Sequence, residues 1–190
     1  GIYREHLHSW RVSMLRRMGL AFAFMAAPAA AQAAGDVTEF VVDGSGDLRI
    51  FGLEGGSVEL RVKGPGDLRT VRIDVEKIEA TVSGSGRMYL KEVHAADGEF
   101  VVTGSGDLVV TQGGRVDRLE ASVVGSGDLD LDSLDSRVAE LNVVGSGTAT
   151  IGIVDEKLNA SILGSGDIRY RGEPETDQVA LGSGEIRARD

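Results

Sequence analysis

From residue 36 onward, apolar and polar residues alternate in short runs that restart about every twenty positions. Before each restart stand pairs such as Phe40 and Val42, Leu60 and Val62, Phe100 and Val102, and Leu141 and Val143. After it stand Leu48 and Ile50, Met88 and Leu90, Leu108 and Val110, and Leu129 and Leu131. A period of two predicts strands, so every repeat holds at least two. Between them lies Gly-Ser-Gly, opening at Gly44, Gly84, Gly104, Gly125, Gly145, Gly164 and Gly182, with Gly-Pro-Gly at Gly64. The intervals are 20, 20, 20, 21, 20, 19 and 18 residues. The second glycines of these motifs are Gly46, Gly66, Gly86, Gly106, Gly127, Gly147, Gly166 and Gly184. Such a tripeptide suits a corner that demands positive φ or a close backbone approach. A third, less regular side is marked by Leu53, Ile73, Val93, Leu134 and Val154.

A unit of two or three short strands cannot bury its own apolar face, whereas stacked units can. The expected fold is therefore all-β: a single-stranded, right-handed parallel β-helix of about eight coils over residues 34–190. Its handedness follows the general preference of parallel crossovers. Eight rungs at roughly 4.8 Å make a rod about 38 Å long. A β-sandwich would need repeats that reverse direction, and these all run in one phase. A calcium roll built on Gly-Asp repeats would have a period of nine residues rather than twenty.

Composition sharpens this picture. There are 27 glycines against 3 prolines, which points to many tight turns. Only 5% of residues are aromatic, fitting thin layers filled by Val, Leu and Ile. The absence of cysteine excludes disulfides, thiolate metal sites and acylation of an N-terminal cysteine. Residues 14–33 read as a secretory signal peptide: Arg16 and Arg17, an apolar run over 18–27, then Ala31-Gln32-Ala33 with cleavage expected after Ala33. Residues 1–13 read as an over-extended start with no fold of their own. Without residues 1–34 the chain carries 16 basic and 29 acidic residues, a net charge of −13. Nucleic acid and anionic membrane surfaces are poor partners for that charge. No membrane span is expected after signal cleavage, nor is the aromatic closing strand of an outer-membrane barrel found at the C-terminal end.

The Gly-Ser-Gly-Asp-Leu/Ile corners at twenty-residue spacing, behind a signal peptide, resemble the DUF2807 or head GIN domain of auto-transporter adhesins. The resemblance covers about residues 36–190. It implies a right-handed β-helix, and it implies adhesion as the role.

Two acidic columns are candidate chemistry. Glu39, Glu59, Glu79, Glu99, Glu120 and Glu140 stand five residues before each corner, on the outward phase. Stacked in parallel they would form a carboxylate ladder, a candidate for Ca²⁺ or for screening by neighbours such as Arg61; the bland alternative is a solvated acidic face. Asp47, Asp67, Asp107, Asp128 and Asp167 follow the corner and are expected to hold the turn through backbone N–H groups. The serines of the corners are seven equivalent residues, and His94 is the single histidine beyond residue 34, so no nucleophile with a base is singled out. Tyr89, on the outward phase, is the best candidate for an aromatic binding platform.

The expected protein is a non-enzymatic, adhesin-like scaffold for a cell-surface, glycan or protein ligand. Its expected place is the periplasm, the outer-membrane surface or the extracellular space. A structural accessory protein and a polysaccharide-active enzyme are the alternatives. The end coils, with unpaired strand edges, are candidates for self-association.

Overall fold

The structure, a computed structural model, describes Gln32–Ala33 and residues 37–190. The expected over-extended start and signal peptide lie outside the described residues, apart from Gln32 and Ala33.

Thirteen strands follow one another with no helix among the described residues: β1 (Gln32–Ala33), β2 (Val37–Asp43), β3 (Asp47–Gly64), β4 (Asp67–Gly84), β5 (Arg87–Gly104), β6 (Asp107–Val110), β7 (Gly114–Gly125), β8 (Asp128–Leu131), β9 (Leu134–Gly145), β10 (Thr148–Gly164), β11 (Asp167–Arg171), β12 (Glu175–Gly182) and β13 (Ile186–Ala188). Every pairing is parallel and joins a segment to its counterpart one coil away, as β3 to β4 and β4 to β5. The protein is thus a parallel β-solenoid of about eight turns.

Pairing between β3 and β4 holds over residues 47–50, 52–55 and 57–64 and skips Phe51 and Gly56. The same two positions, Val71 and Glu76, are skipped between β4 and β5. With the glycine corner, these breaks divide each coil into three sides. Burial follows the alternation. Leu60, Val62, Leu68, Met88, Leu90, Phe100, Val102 and Leu108 are all buried. So are Leu53, Ile73, Val93, Leu134 and Val154 on the third side. A further inward column, absent from the sequence reading, stands six residues before the corner: Thr38, Val58, Ile78, Leu119, Ala139 and Leu158. It completes the longest side, which therefore carries three inward residues per coil rather than two.

The corner glycines meet two demands, backbone conformation and space. Gly44 has φ +99°, yet a Cβ there would meet nothing within 4 Å. At Gly106 a Cβ would lie 2.3 Å from the Gly86 carbonyl oxygen and 2.7 Å from a Val82 methyl carbon. At Gly44 the demand is conformational alone, at Gly106 it is space between rungs, and at first glycines within the stack both apply, since a Cβ at Gly145 would lie 2.3 Å from the Gly125 carbonyl oxygen.

The last coil is open. All eight residues of β12 are exposed, Leu181 to 62%. Gln178 does not enter a core there; its side-chain amide donates to the Tyr170 hydroxyl at 3.3 Å, and the buried Tyr170 ring closes the stack one rung below. Asp132 ties this end down. Its carboxylate accepts from Arg189 Nη1 at 3.2 Å, and Arg171 Nη2 donates to its carbonyl.

Candidate functional site

The glutamate column forms a ladder in strict register, Glu39 to Glu59 to Glu79 to Glu99 to Glu120 to Glu140. Its first half, three carboxylates, is partly offset by two cations. Arg61 reaches Glu39 at 3.3 Å and also pairs with Glu59, and Lys77 pairs with Glu79. The Glu59 carboxyl sits above its ordinary pKa of 4.5, chiefly because burial penalises its charge. Arg61 opposes that effect, and Glu39, Glu79 and Glu99 add to it. Among the described residues no group of three acidic or histidine side chains is arranged to hold a metal ion.

The aspartates after the corner act between coils more than within their own turn. Asp128 Oδ1 accepts from the Thr148 N–H at 3.1 Å, and Asp167 Oδ1 accepts from the Glu185 N–H at 3.2 Å. Asp67 instead takes the Arg69 guanidinium at 2.9 Å, and Asp107 faces Arg87. The corner serines lie on the surface, where the Ser183 hydroxyl donates to that of Ser165 at 3.1 Å. His94 is held by Glu92 at 3.1 Å on the third side, away from the serine corner, so the structure assembles no serine–histidine pair there.

What the structure does bring together is a groove of about 280 Å³ where the side after the corner bends at Phe51 and Val71. Its lining is Arg49, Ile50, Phe51, Arg69, Thr70, Val71, Tyr89, Lys91 and Thr111. Register explains the convergence: Arg49, Arg69 and Tyr89 are successive rungs of one outward column. Phe51, Val71, Lys91 and Thr111 hold the equivalent place at the bend, seven residues after each corner glycine. Phe51 is 53% exposed and Val71 41%. Tyr89, expected as an open platform, is half-buried, with the Arg69 guanidinium 5.1 Å above its ring centre. That contact fixes the guanidinium by attraction to the ring face. Beneath lies Thr70, 4% exposed, its hydroxyl without a hydrogen-bond partner. Aligning the repeats at five and seven residues after the corner glycine would have exposed these columns. Attention to Tyr89 alone misses them.

A second apolar feature runs along the coil edge just before the corner: Val124, Val144, Leu163 and Leu181, in register on four rungs and all exposed.

Gly-cornered coils stacked in parallel register define the class of this protein, a parallel β-solenoid. The chain belongs to the DUF2807 family, "Putative auto-transporter adhesin, head GIN domain", whose model matches residues 33–174. No curated protein matches it. Among solved structures it is similar to a "putative lipid binding protein" from Parabacteroides distasonis, at 28% identity and a TM-score of 0.67, covering 76% of this chain and 61% of that one. It is also similar in fold to a "putative adhesin" from the same organism (23% identity, TM-score 0.73, 79% and 68% covered). A third, from Parabacteroides merdae and also a "putative adhesin", has 20% identity and a TM-score of 0.68, with 76% and 63% covered. The chain thus spans roughly three fifths to two thirds of the length of these proteins.

Proposed function

We propose that this chain is an exported, non-enzymatic binding module of the cell envelope, a rigid rod that presents ligand-contacting faces. The observation that carries this reading is the groove at Arg49, Phe51, Arg69, Val71, Tyr89 and Lys91, which sits on a scaffold locked by backbone pairing on every coil. A preformed concavity on a rigid frame loses little entropy on binding. Family membership among adhesin-like proteins supports the same reading, as does the lipid-binding description of the 28% identical neighbour. Export rests on the signal-like pattern of residues 14–33.

Two measurements test it. Protease shaving of intact cells, read with an antibody to residues 37–190, should remove the signal if the rod stands on the surface. Protection until the outer membrane is opened would place it in the periplasm and favour an accessory structural role. The purified chain should also be retained on whole cells or extracted envelope. Retention no greater than that of an unrelated acidic protein overturns the binding reading.

A further inference from the structure

We propose that the groove at the Phe51–Val71 bend binds an anionic single-chain lipid, with the headgroup between Arg49, Arg69 and Lys91 and the chain against Phe51 and Val71. This rests on the reading of the rod as a binding module and names the ligand class of that site. Charge is the first argument. The whole chain carries a net charge of −10, yet three of the nine groove residues are cationic and none is acidic.

Elsewhere on the rod most arginines are matched. Arg72 faces Asp74 and Glu92, Arg115 faces Asp155, Arg118 faces Asp97, and Arg137 faces Glu156. In the groove Arg69 is matched by Asp67, but the other two cations are not. Neither Arg49 nor Lys91 has a carboxylate within 4.0 Å among the described residues. Arg49 and Arg69 are direct register neighbours on adjacent strands, a placement in which like charges repel. A bound anion relieves that repulsion.

The apolar lining is the second argument. Phe51 and Val71 are large hydrophobic side chains left in water, and they border the cationic cluster on the same bend. A free inorganic anion would gain nothing from them. A sugar acid would find donors in Arg49, Arg69, Tyr89, Lys91 and Thr111, but its hydroxylated ring would leave the exposed Phe51 and Val71 side chains poorly covered. An ionised head attached to a hydrocarbon chain uses both halves of the lining. The ring contact under Arg69 sets one guanidinium in place before the ligand arrives, which lowers the entropic cost of binding. The volume, about 280 Å³, lies just below the usual range for ligand pockets, roughly 300–1,000 Å³, so the site holds the head and the near part of the chain.

The test is calorimetric titration of the full chain with decyl phosphate below its micellar concentration. Inorganic phosphate, decyl maltoside and decyltrimethylammonium are the comparison probes. Decyl phosphate should bind at least tenfold more tightly than any of the three. The double substitution Arg49→Gln with Arg69→Gln should weaken it tenfold or more, and Phe51→Ser should weaken it without making inorganic phosphate bind. Lys63→Gln, on an exposed side chain remote from the groove lining, should leave it unchanged. All these side chains are partly or fully exposed, and an unchanged unfolding temperature for each variant would show that the fold is retained. Equal binding by the double variant, inorganic phosphate as tight as decyl phosphate, or no binding at millimolar ligand each overturns the proposal. If decyl phosphate fails while the chain is still retained on envelope, the lipid assignment falls and the binding-module reading stands. If retention is lost as well, both fall.

Discussion

At the scale of single residues, the solenoid tolerates few polar intruders, and those it has are informative. Ser136 is fully buried between Val116 and Val154 in neighbouring coils, and its hydroxyl has no partner. An unpaired buried hydroxyl costs about 1–3 kcal/mol. Ser136→Ala is therefore expected to stabilise the protein by about 1 kcal/mol, seen as a higher midpoint in urea unfolding with an unchanged slope. Glu59 gives a residue-scale pH dependence. A carboxyl with a raised folded pKa binds its proton more tightly folded than unfolded. Its contribution is most favourable below pH 4.5 and is lost as pH rises through the folded pKa. Glu59→Gln should accordingly raise the unfolding temperature relative to the parent at pH 7, and the difference should shrink at pH 4. An equal difference at both values would mean that Glu59 is not the group whose ionisation is penalised.

At the scale of the strand and its corner, Gly44 and Gly106 make separable demands. Gly44→Ala meets no neighbour, so its cost is the left-handed backbone alone, about 1–2 kcal/mol. Gly106→Ala forces a methyl into the Gly86 carbonyl, and the rungs must part, at a cost on the order of 3 kcal/mol. Denaturant unfolding of the two variants should rank them in that order, and the reverse order would refute the division of roles. The glutamate ladder belongs to this scale too. Six carboxylates in register would repel, and Arg61 and Lys77 supply an offset along the first three rungs. The aspartate column teaches a related lesson. Sequence spacing suggests bonds inside each turn, whereas Asp128 and Asp167 reach the next coil, because in a parallel stack the nearest free N–H lies one rung up.

For the molecule as a whole, backbone pairing joins each coil only to its neighbours, with a few longer side-chain ties such as Arg115–Asp155 and Arg189–Asp132, so stability is passed mainly along the stack rather than pooled in one centre. The end with fewest neighbours should open first. Amides of β12 and β13 are expected to exchange with deuterium well before those of β4, which is paired on both sides. Asp132→Asn removes the carboxylate that holds Arg189, and it should speed exchange in β13 while leaving β4 unaffected. Uniform exchange along the rod would show that it opens as one unit. The exposed Val124–Leu181 row and the open edge of β12 lie toward this same end, one of the two end coils named from the sequence as candidates for self-association.

The twenty-residue restart, the alternation on either side of Gly44 and its equivalents, and the third-side marks at Leu53, Ile73 and Val93 determined the architecture without any structure. Period-two burial and a constant repeat length leave parallel stacking as the way to cover every apolar face. The inward column at Val58, Ile78 and Leu119 escaped that reading because Ser57, Lys77 and Arg118, immediately before it, fall where the chain leaves a bend. Alternation counted back from the corner was followed only as far as the glutamates. The groove was less legible still. Arg49, Tyr89 and Lys91 are up to forty-two residues apart in sequence, and nothing in any one repeat marks them. They become one site only because the stack places successive coils a few ångströms apart and the bend at Phe51 turns two outward columns toward a common space. The repeat is local information carried by each coil, whereas the site arises where coils differ, and tertiary register alone brings those differences together.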